Sequence, residues 1–358
     1  MVALVVGTRP EVIKMAPVYR ELIRQGVDTF LIATAQHREM MDAMLEVFGM
    51  KPDVDLDIMR HSQSINYVFS SVMSKLEVIL SEIKPKVLLV QGDTTTALSA
   101  ALTAFHLSIP VGHVEAGLRS GVLKDPFPEE MNRRVIDVVS DHLFAPTERA
   151  RENLIHEGID EGRIHVVGNT VVDALEMIKE GFDLESMRRK IIDTEDYILV
   201  TLHRRENIGD RMRNILRALR RFSDDFKIDV VFPVHRNPRV RSIVHEILSD
   251  HERSHLLEPL DYIEFLSLLS GCRFVLTDSG GIQEEAPSFG KFVVVARETT
   301  ERPELVEGGW GILAGTDDER VYQALERAFE FKPSGRKNPF GDGMSAKRIV
   351  GIILESDS

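Results

Sequence analysis

Strand-like and helix-like segments alternate along the whole chain, which predicts an α/β protein with two parallel sheets in tandem. Three observations carry this prediction. The strand-like runs are almost continuously apolar, as expected when helices cover both faces of a parallel sheet. The alternation restarts after about residue 170. Polar and glycine-bearing motifs follow strand after strand, at the sheet edge where open α/β folds bind ligands.

In the first half, strands are predicted at 3–6, 29–33, 87–91, 111–114, 142–145 and 164–167. Helical patterns fill the gaps at 11–24, 39–48, 65–82, 94–106, 129–140 and 148–157. Pro10 suits the first turn of the first helix. Gly168-Asn169-Thr170 begins the changeover, and the charged segment to Asp196 reads as mostly helical. Strands then recur at 197–201, 230–233, 255–257, 274–277 and 292–295. Helices are predicted at 211–222, 239–248, 262–269, 280–289 and 319–331. The expected domains are 1–170 and 171–340, with the boundary placed to within about ten residues. A Pro-, Gly- and Lys-rich loop spans 332–343, and an amphipathic segment within 345–358 is expected to pack back on the first domain.

Composition narrows the function. The 358 residues are 43% hydrophobic and 28% charged, enough for ample cores without staples. The only cysteine, Cys272, excludes an internal disulfide, fits a reducing cytoplasm and reads as core. The apolar N-terminus is too short for a signal peptide, and no apolar run reaches the ~18 residues of a membrane span. A net charge of −13 disfavours nucleic acid and anionic lipid as partners. An anionic small ligand would need local cations. Arg9, Lys14, Arg119, Arg133, Arg204, Arg205, Arg236, Arg297 and Arg302 all lie in or beside motif-like segments.

The stretch Thr277-Asp278-Ser279-Gly280-Gly281-Ile282-Gln283-Glu284-Glu285 joins an apolar strand to a helix. Two glycines there let a phosphate approach free N–H groups at the positive end of the helix dipole. Glu284 and Glu285, one turn on, could reach ribose hydroxyls. The alternative is an ordinary tight turn. Gly7-Thr8-Arg9-Pro10-Glu11 departs from the dinucleotide fingerprint, but Arg9 and Lys14 could face a diphosphate or be solvated.

Asp93 and Glu115 lie just beyond strand ends, and Glu129 follows Pro128 at a helix start. Three carboxylates in one cleft suit proton removal and return, since their environments can separate their pKa values. Asp93 could instead cap a helix, and Glu129 could complement a helix dipole. His203 could contact phosphate or act as an acid; His113 and His235 are weaker candidates. No metal-ligand spacing and no nucleophile elbow appear.

Taken together, Gly7-Thr8-Arg9-Pro10-Glu11, Gln91-Gly92-Asp93-Thr94, His113-Val114-Glu115-Ala116-Gly117-Leu118-Arg119, Pro128-Glu129-Glu130, Asn132-Arg133, His203-Arg204-Arg205-Glu206-Asn207, the 277–285 stretch and Thr300-Glu301-Arg302-Pro303-Glu304 closely resemble the non-hydrolysing UDP-N-acetylglucosamine 2-epimerases. The match runs in order over nearly the whole chain. The resemblance implies a GT-B-like fold: two Rossmann-like parallel-sheet domains with an interdomain cleft. It implies reversible epimerisation at carbon 2 to UDP-N-acetylmannosamine, by elimination of UDP to 2-acetamidoglucal and re-addition, with no cofactor. It makes Asp93, Glu115 and Glu129 candidates for proton transfer, in roles it does not assign. His203 is expected near the diphosphate. Arg9 and Lys14 should contact the ligand, Ser279, Gly280 and Gly281 the phosphate, Glu285 the ribose, Arg302 the anion and Phe265 the uracil. Leu260 stands where some relatives carry a polar residue that helps read the base. Gln36, His37, Arg205 and His235 resemble a second, activating UDP-N-acetylglucosamine site. A homodimer is implied. The competing readings are a GT-B glycosyltransferase, a hydrolysing epimerase and a sugar-nucleotide sensor.

Overall fold

The computed structural model describes residues 1–36, 38–60, 63–333 and 335–355. The chain divides into two compact units, Met1–Glu176 with Phe340–Ser358, and Met177–Pro339.

In the first unit, chain order runs β1 (Val2–Val6), α1 (Arg9–Arg24), β2 (Thr29–Ala33), α2 (Arg38–Val47), β3 (Val54–Asp55), α3 (Ile65–Ile83), β4 (Val87–Gln91), α4 (Thr95–His106), β5 (Val111–Val114), α5 (Glu129–Val139), β6 (His142–Ala145), α6 (Glu148–His156) and β7 (Ile164–Val166), and α7 (Thr170–Gly181) runs across the boundary into the second. The last helix of the chain, Ser345–Glu355, belongs to the first unit and packs on α1. The side chain of Asp173 accepts the Ala346 N–H at 2.9 Å, capping that helix from outside its own sequence.

The seven strands are all parallel, in the order β3-β2-β1-β4-β5-β6-β7. Every residue of β1, β4 and β5 is buried, because helices cover both faces of the sheet. Leu88, Val90 and Val111 pack there against Val72, Leu76, Leu80 and Ala101.

The second unit holds α8 (Leu184–Ile191), β8 (Tyr197–Thr201), α9 (Asp210–Phe226), β9 (Asp229–Pro233), α10 (Pro238–Leu248), β10 (Ser254–Leu257), α11 (Tyr262–Gly271), β11 (Phe274–Thr277), α12 (Gly280–Glu285), β12 (Phe292–Val295), α13 (Pro303–Glu307), β13 (Gly311–Leu313) and α14 (Asp318–Phe329). Its six parallel strands take the order β10-β9-β8-β11-β12-β13. Its core is more aromatic: Phe222 meets Phe226, Phe274, Tyr322 and Phe329.

Both units thus share the Rossmann order 3-2-1-4-5-6, the first with one strand more. In each, the connections reverse direction between the first and fourth strands. Ligands of such sheets bind at that switch point, outside the carboxyl ends. The switch points are β1/β4 in the first unit and β8/β11 in the second. β3, β13 and α13 were not expected from sequence; each has five residues or fewer, too short for a periodic signal.

Candidate active site

At the β1/β4 switch point the turn after β1 is closed by its own helix. The Gly7 N–H donates to Glu11 Oε2 at 2.9 Å, and the Thr94 hydroxyl donates to Glu11 Oε1 at 2.6 Å. Burial pushes the Glu11 carboxyl above its ordinary range, against these hydrogen bonds. Gly7 is required by crowding: a Cβ would lie 2.2 Å from the Thr34 hydroxyl. Glu11 therefore ties the turn after β1 to the turn after β4.

Two of the three expected carboxylates are held in place here. Glu115 follows β5 with φ +72, a conformation that costs a non-glycine residue free energy and persists only when the surroundings fix it. Its N–H and that of Ala116 both donate to the Phe144 carbonyl, at 3.1 and 3.2 Å. Its carboxylate receives Lys14 Nζ on both oxygens at 2.7 Å, and the Gln91 amide on one. Lys14, which sequence leaves either facing a diphosphate or solvated, has its ammonium engaged by Glu115, and both side chains are buried.

Asp93 is not the helix cap that sequence left open. Thr94 caps α4 by accepting the Ala97 N–H at 3.0 Å. The Asp93 carboxylate accepts from the Arg133 guanidinium, with Nε at 3.0 Å, and the Asp93 carbonyl accepts from Asn132 at 2.8 Å. Glu129 opens α5, half-buried, and its side chain makes no hydrogen bond or ion pair among the described residues. Its neighbour Glu130 is buried and structural: it accepts from the Ser120 N–H at 3.0 Å and from Arg134 Nε at 3.0 Å. His113 lies inside the unit, between Asp137 and the Gly92 carbonyl. Arg9 is exposed at the start of α1. Gln36 accepts from the Thr96 hydroxyl at 2.8 Å. His37 lies outside the described residues.

The β8/β11 switch point is organised around Asp278, which is fully buried. Its carboxylate accepts the backbone N–H groups of His203 and Arg204 at 3.1 and 3.0 Å, and the Asn207 amide at 3.0 Å. This shapes the turn after β8 and leaves the His203 ring beside Asp278, with Nδ1 at 3.5 Å from Oδ1. Partial desolvation lowers the pKa of His203, whose side chain is still 40% exposed, below its ordinary 6.5; Asp278 opposes this, and the stacked His235 ring adds to it. Arg205 and His235 are exposed.

After β11, Ser279 precedes α12 without capping it through its side chain. A Cβ on Gly280 would meet the Arg302 guanidinium at 3.2 Å, whereas one on Gly281 would meet nothing within 4 Å. Gly280 is thus crowded only by the flexible tip of Arg302, and protein packing leaves Gly281 unexplained. Arg302 Nε donates to Glu284 at 2.8 Å, so Glu284 is committed to Arg302 rather than presented as a ribose ligand. Glu285 accepts from the Tyr262 hydroxyl at 2.8 Å. Phe265 is half-buried on α11. Among the described residues no cluster of three or more His, Cys, Asp or Glu side chains could hold a metal ion, and no helix is long and apolar enough to cross a membrane.

The sequence reading left Gln91, Arg133, Asp278 and Tyr262 out of the site. Gln91, Arg133 and Asp278 stand inside its motifs and could have been taken from them as partners for the carboxylates and the His203 turn.

A sequence profile described as UDP-N-acetylglucosamine 2-epimerase matches residues 20–354. A UDP-N-acetylglucosamine 2-epimerase of Bacillus subtilis is 45% identical, over 99% of this chain and 94% of its own length. The crystal structure of the Neisseria meningitidis UDP-GlcNAc 2-epimerase bound to UDP-GlcNAc is 42% identical and superposes with a TM-score of 0.89, covering 99% of each chain. The Methanocaldococcus jannaschii UDP-GlcNAc 2-epimerase in complex with UDP-GlcNAc and UDP is 38% identical, with a TM-score of 0.83 over 99% of each chain.

Proposed function

The chain belongs to the UDP-N-acetylglucosamine 2-epimerase family, and from that premise we propose that it interconverts UDP-N-acetylglucosamine and UDP-N-acetylmannosamine by elimination and re-addition of UDP. It is an enzyme of the isomerase class. The observation that carries the mechanistic reading is the β1/β4 edge, where Glu115 is fixed by Lys14 and Gln91 while Asp93 is fixed by Arg133.

In the proposed reaction one carboxylate takes the proton from carbon 2. The C–H electron pair becomes the C1–C2 double bond, and UDP departs from carbon 1 with its bonding pair. A second acid then returns a proton to the opposite face of carbon 2 as a UDP oxygen re-attacks carbon 1. Asp93, Glu115 and Glu129 are the groups for these two transfers. Carboxylates held by a cation and an amide keep one geometry, which proton transfer at a carbon requires.

In this proposal the second unit binds the nucleotide. Ser279, Gly280 and Gly281 hold phosphate where Gly281 opens onto free space, Glu285 takes the ribose with Tyr262 orienting it, and Phe265 lies by the uracil. His203 assists departure of UDP: the partial desolvation that depresses its pKa is offset when an anionic diphosphate arrives. Arg9 and Arg302 bind the anion, and Lys14 serves by holding Glu115. Gln36, Arg205 and His235 are proposed to engage a second, activating UDP-N-acetylglucosamine. That part requires a lag in the reverse direction that added UDP-N-acetylglucosamine removes.

Proton NMR of UDP-N-acetylglucosamine incubated with the protein in deuterated water tests the reading. UDP-N-acetylmannosamine carrying deuterium at carbon 2 is the expected product. Free N-acetylmannosamine plus UDP would overturn it in favour of hydrolysis.

A further inference from the structure

Helix α5 presents Glu129, Asn132, Arg133 and Asp137 at helical spacing along one face. Asn132 and Arg133 hold Asp93. Asp137, which is 1% exposed, holds the loops around two of the carboxylates. Its Oδ1 lies 2.6 Å from His113 Nδ1, and His113 Nε2 lies 2.8 Å from the Gly92 carbonyl. Asp137 Oδ2 accepts the Gly117 N–H at 3.3 Å and pairs with Arg119 at 2.7 Å. One buried carboxylate is thereby tied to Gly92, the residue before Asp93, and to Gly117, two residues after Glu115.

We propose that Asp137 is a positioning residue for the elimination, setting the separation of the Asp93 and Glu115 carboxylates through His113 and Gly117. The inference deepens the function proposed above and rests on it.

A buried carboxylate in the last turn of a helix is costly unless it is fully hydrogen-bonded. None of these partners of Asp137 lies on α5, so the gain falls on the loops. Gly117 has φ +84, and a Cβ there would meet the Ala150 carbonyl oxygen at 2.3 Å; the turn that carries Glu115 has one tight solution. Arg119 closes the network from outside. Burial opposes its charge, but Glu157 and Asp137 outweigh burial and hold its pKa above the ordinary range. Two proton transfers on opposite faces of one carbon depend on the separation of two carboxylates, and a shift of about 1 Å can cost about 100-fold in rate.

The test compares Asp137→Asn with Glu157→Gln in the full chain. Glu157 grips Arg119 and Arg134 but bonds to neither Gly92 nor Gly117, the two points at which the Asp137 network holds the carboxylate turns. Asp137→Asn is expected to lower kcat for carbon-2 exchange about 30- to 100-fold, to leave the Kd for UDP unchanged, and to increase the fraction of turnovers that release 2-acetamidoglucal. Glu157→Gln should lower the thermal midpoint comparably and keep wild-type turnover. Asp137→Asn turnover within about threefold of wild type, or a parallel loss in Glu157→Gln, would overturn the proposal. Amide hydrogen exchange at Glu115 and Gly117, read without ligand, should accelerate in Asp137→Asn and not in Glu157→Gln; unchanged exchange overturns the positioning role by itself. A wild-type protein that fails to epimerise would defeat the functional reading, and the exchange measurement would still decide whether Asp137 holds the turn.

Discussion

The two switch points share a topology and differ in chemistry. At β1/β4 the side chains are cross-linked acids: Glu115 on Lys14 and Gln91, Asp93 on Arg133, Glu11 on Gly7 and Thr94. At β8/β11 one buried acid, Asp278, is spent on backbone N–H groups, and the exposed groups are His203, Arg205, His235 and a turn that opens at Gly281. The same strand order therefore supports two jobs, and the residues just past each strand decide which. Under the proposed function, the first edge supplies the fixed geometry that proton transfer needs and the second an approach for an anion.

The largest effect should come from the first edge. Glu115→Gln removes the anion that grips Lys14 and is expected to lower carbon-2 hydrogen exchange about 10³-fold, within the range for losing a general acid or base. Deuterium incorporation measures it. Substitution at the second edge should act on affinity instead. Gly281→Ala is expected to raise the Kd for UDP about tenfold by blocking close approach. It should leave the thermal midpoint unchanged or slightly raised, because its Cβ meets no protein atom. Loss of turnover at saturating ligand in Gly281→Ala would break the comparison.

A smaller effect concerns stability. Burial pushes Glu301 up, but the bidentate Arg297 outweighs it and holds the carboxyl at about 2. A depressed carboxyl stabilises the folded state above its unfolded value of 4.5, and this contribution is lost as pH falls toward 2. Glu301→Gln should therefore cost about 2 kcal/mol at neutral pH, and denaturant titration should show the gap from wild type closing through that window. The smallest effect is a titration shift. His235 contributes to lowering the His203 pKa, so His235→Asn should raise it, as followed by NMR of the His203 ring.

Much of this was legible in the sequence. Val87–Gln91, Val111–Val114, Phe274–Thr277 and Phe292–Val295 stand where their apolar runs predict, because a doubly covered parallel strand has few other patterns. β3 and β13 were missed because edge strands of two and three residues have no period to read. At the site, residue types were visible and their pairing was not. Lys14 and Glu115 are 101 positions apart, and only the adjacency of α1 to the end of β5 brings an ammonium onto that carboxylate. Asp137 was passed over because a charge on an amphipathic helix reads as solvated, although its spacing from Arg133 places it on the inward face.

Calorimetric titration of Glu115→Gln with UDP tests the division of labour most directly. The account predicts an affinity within about threefold of wild type in a protein that has lost turnover, since Glu115 lies at the β1/β4 edge and the proposed nucleotide site is at the other. A Kd raised a hundredfold or more would place Glu115 in nucleotide binding and contradict it.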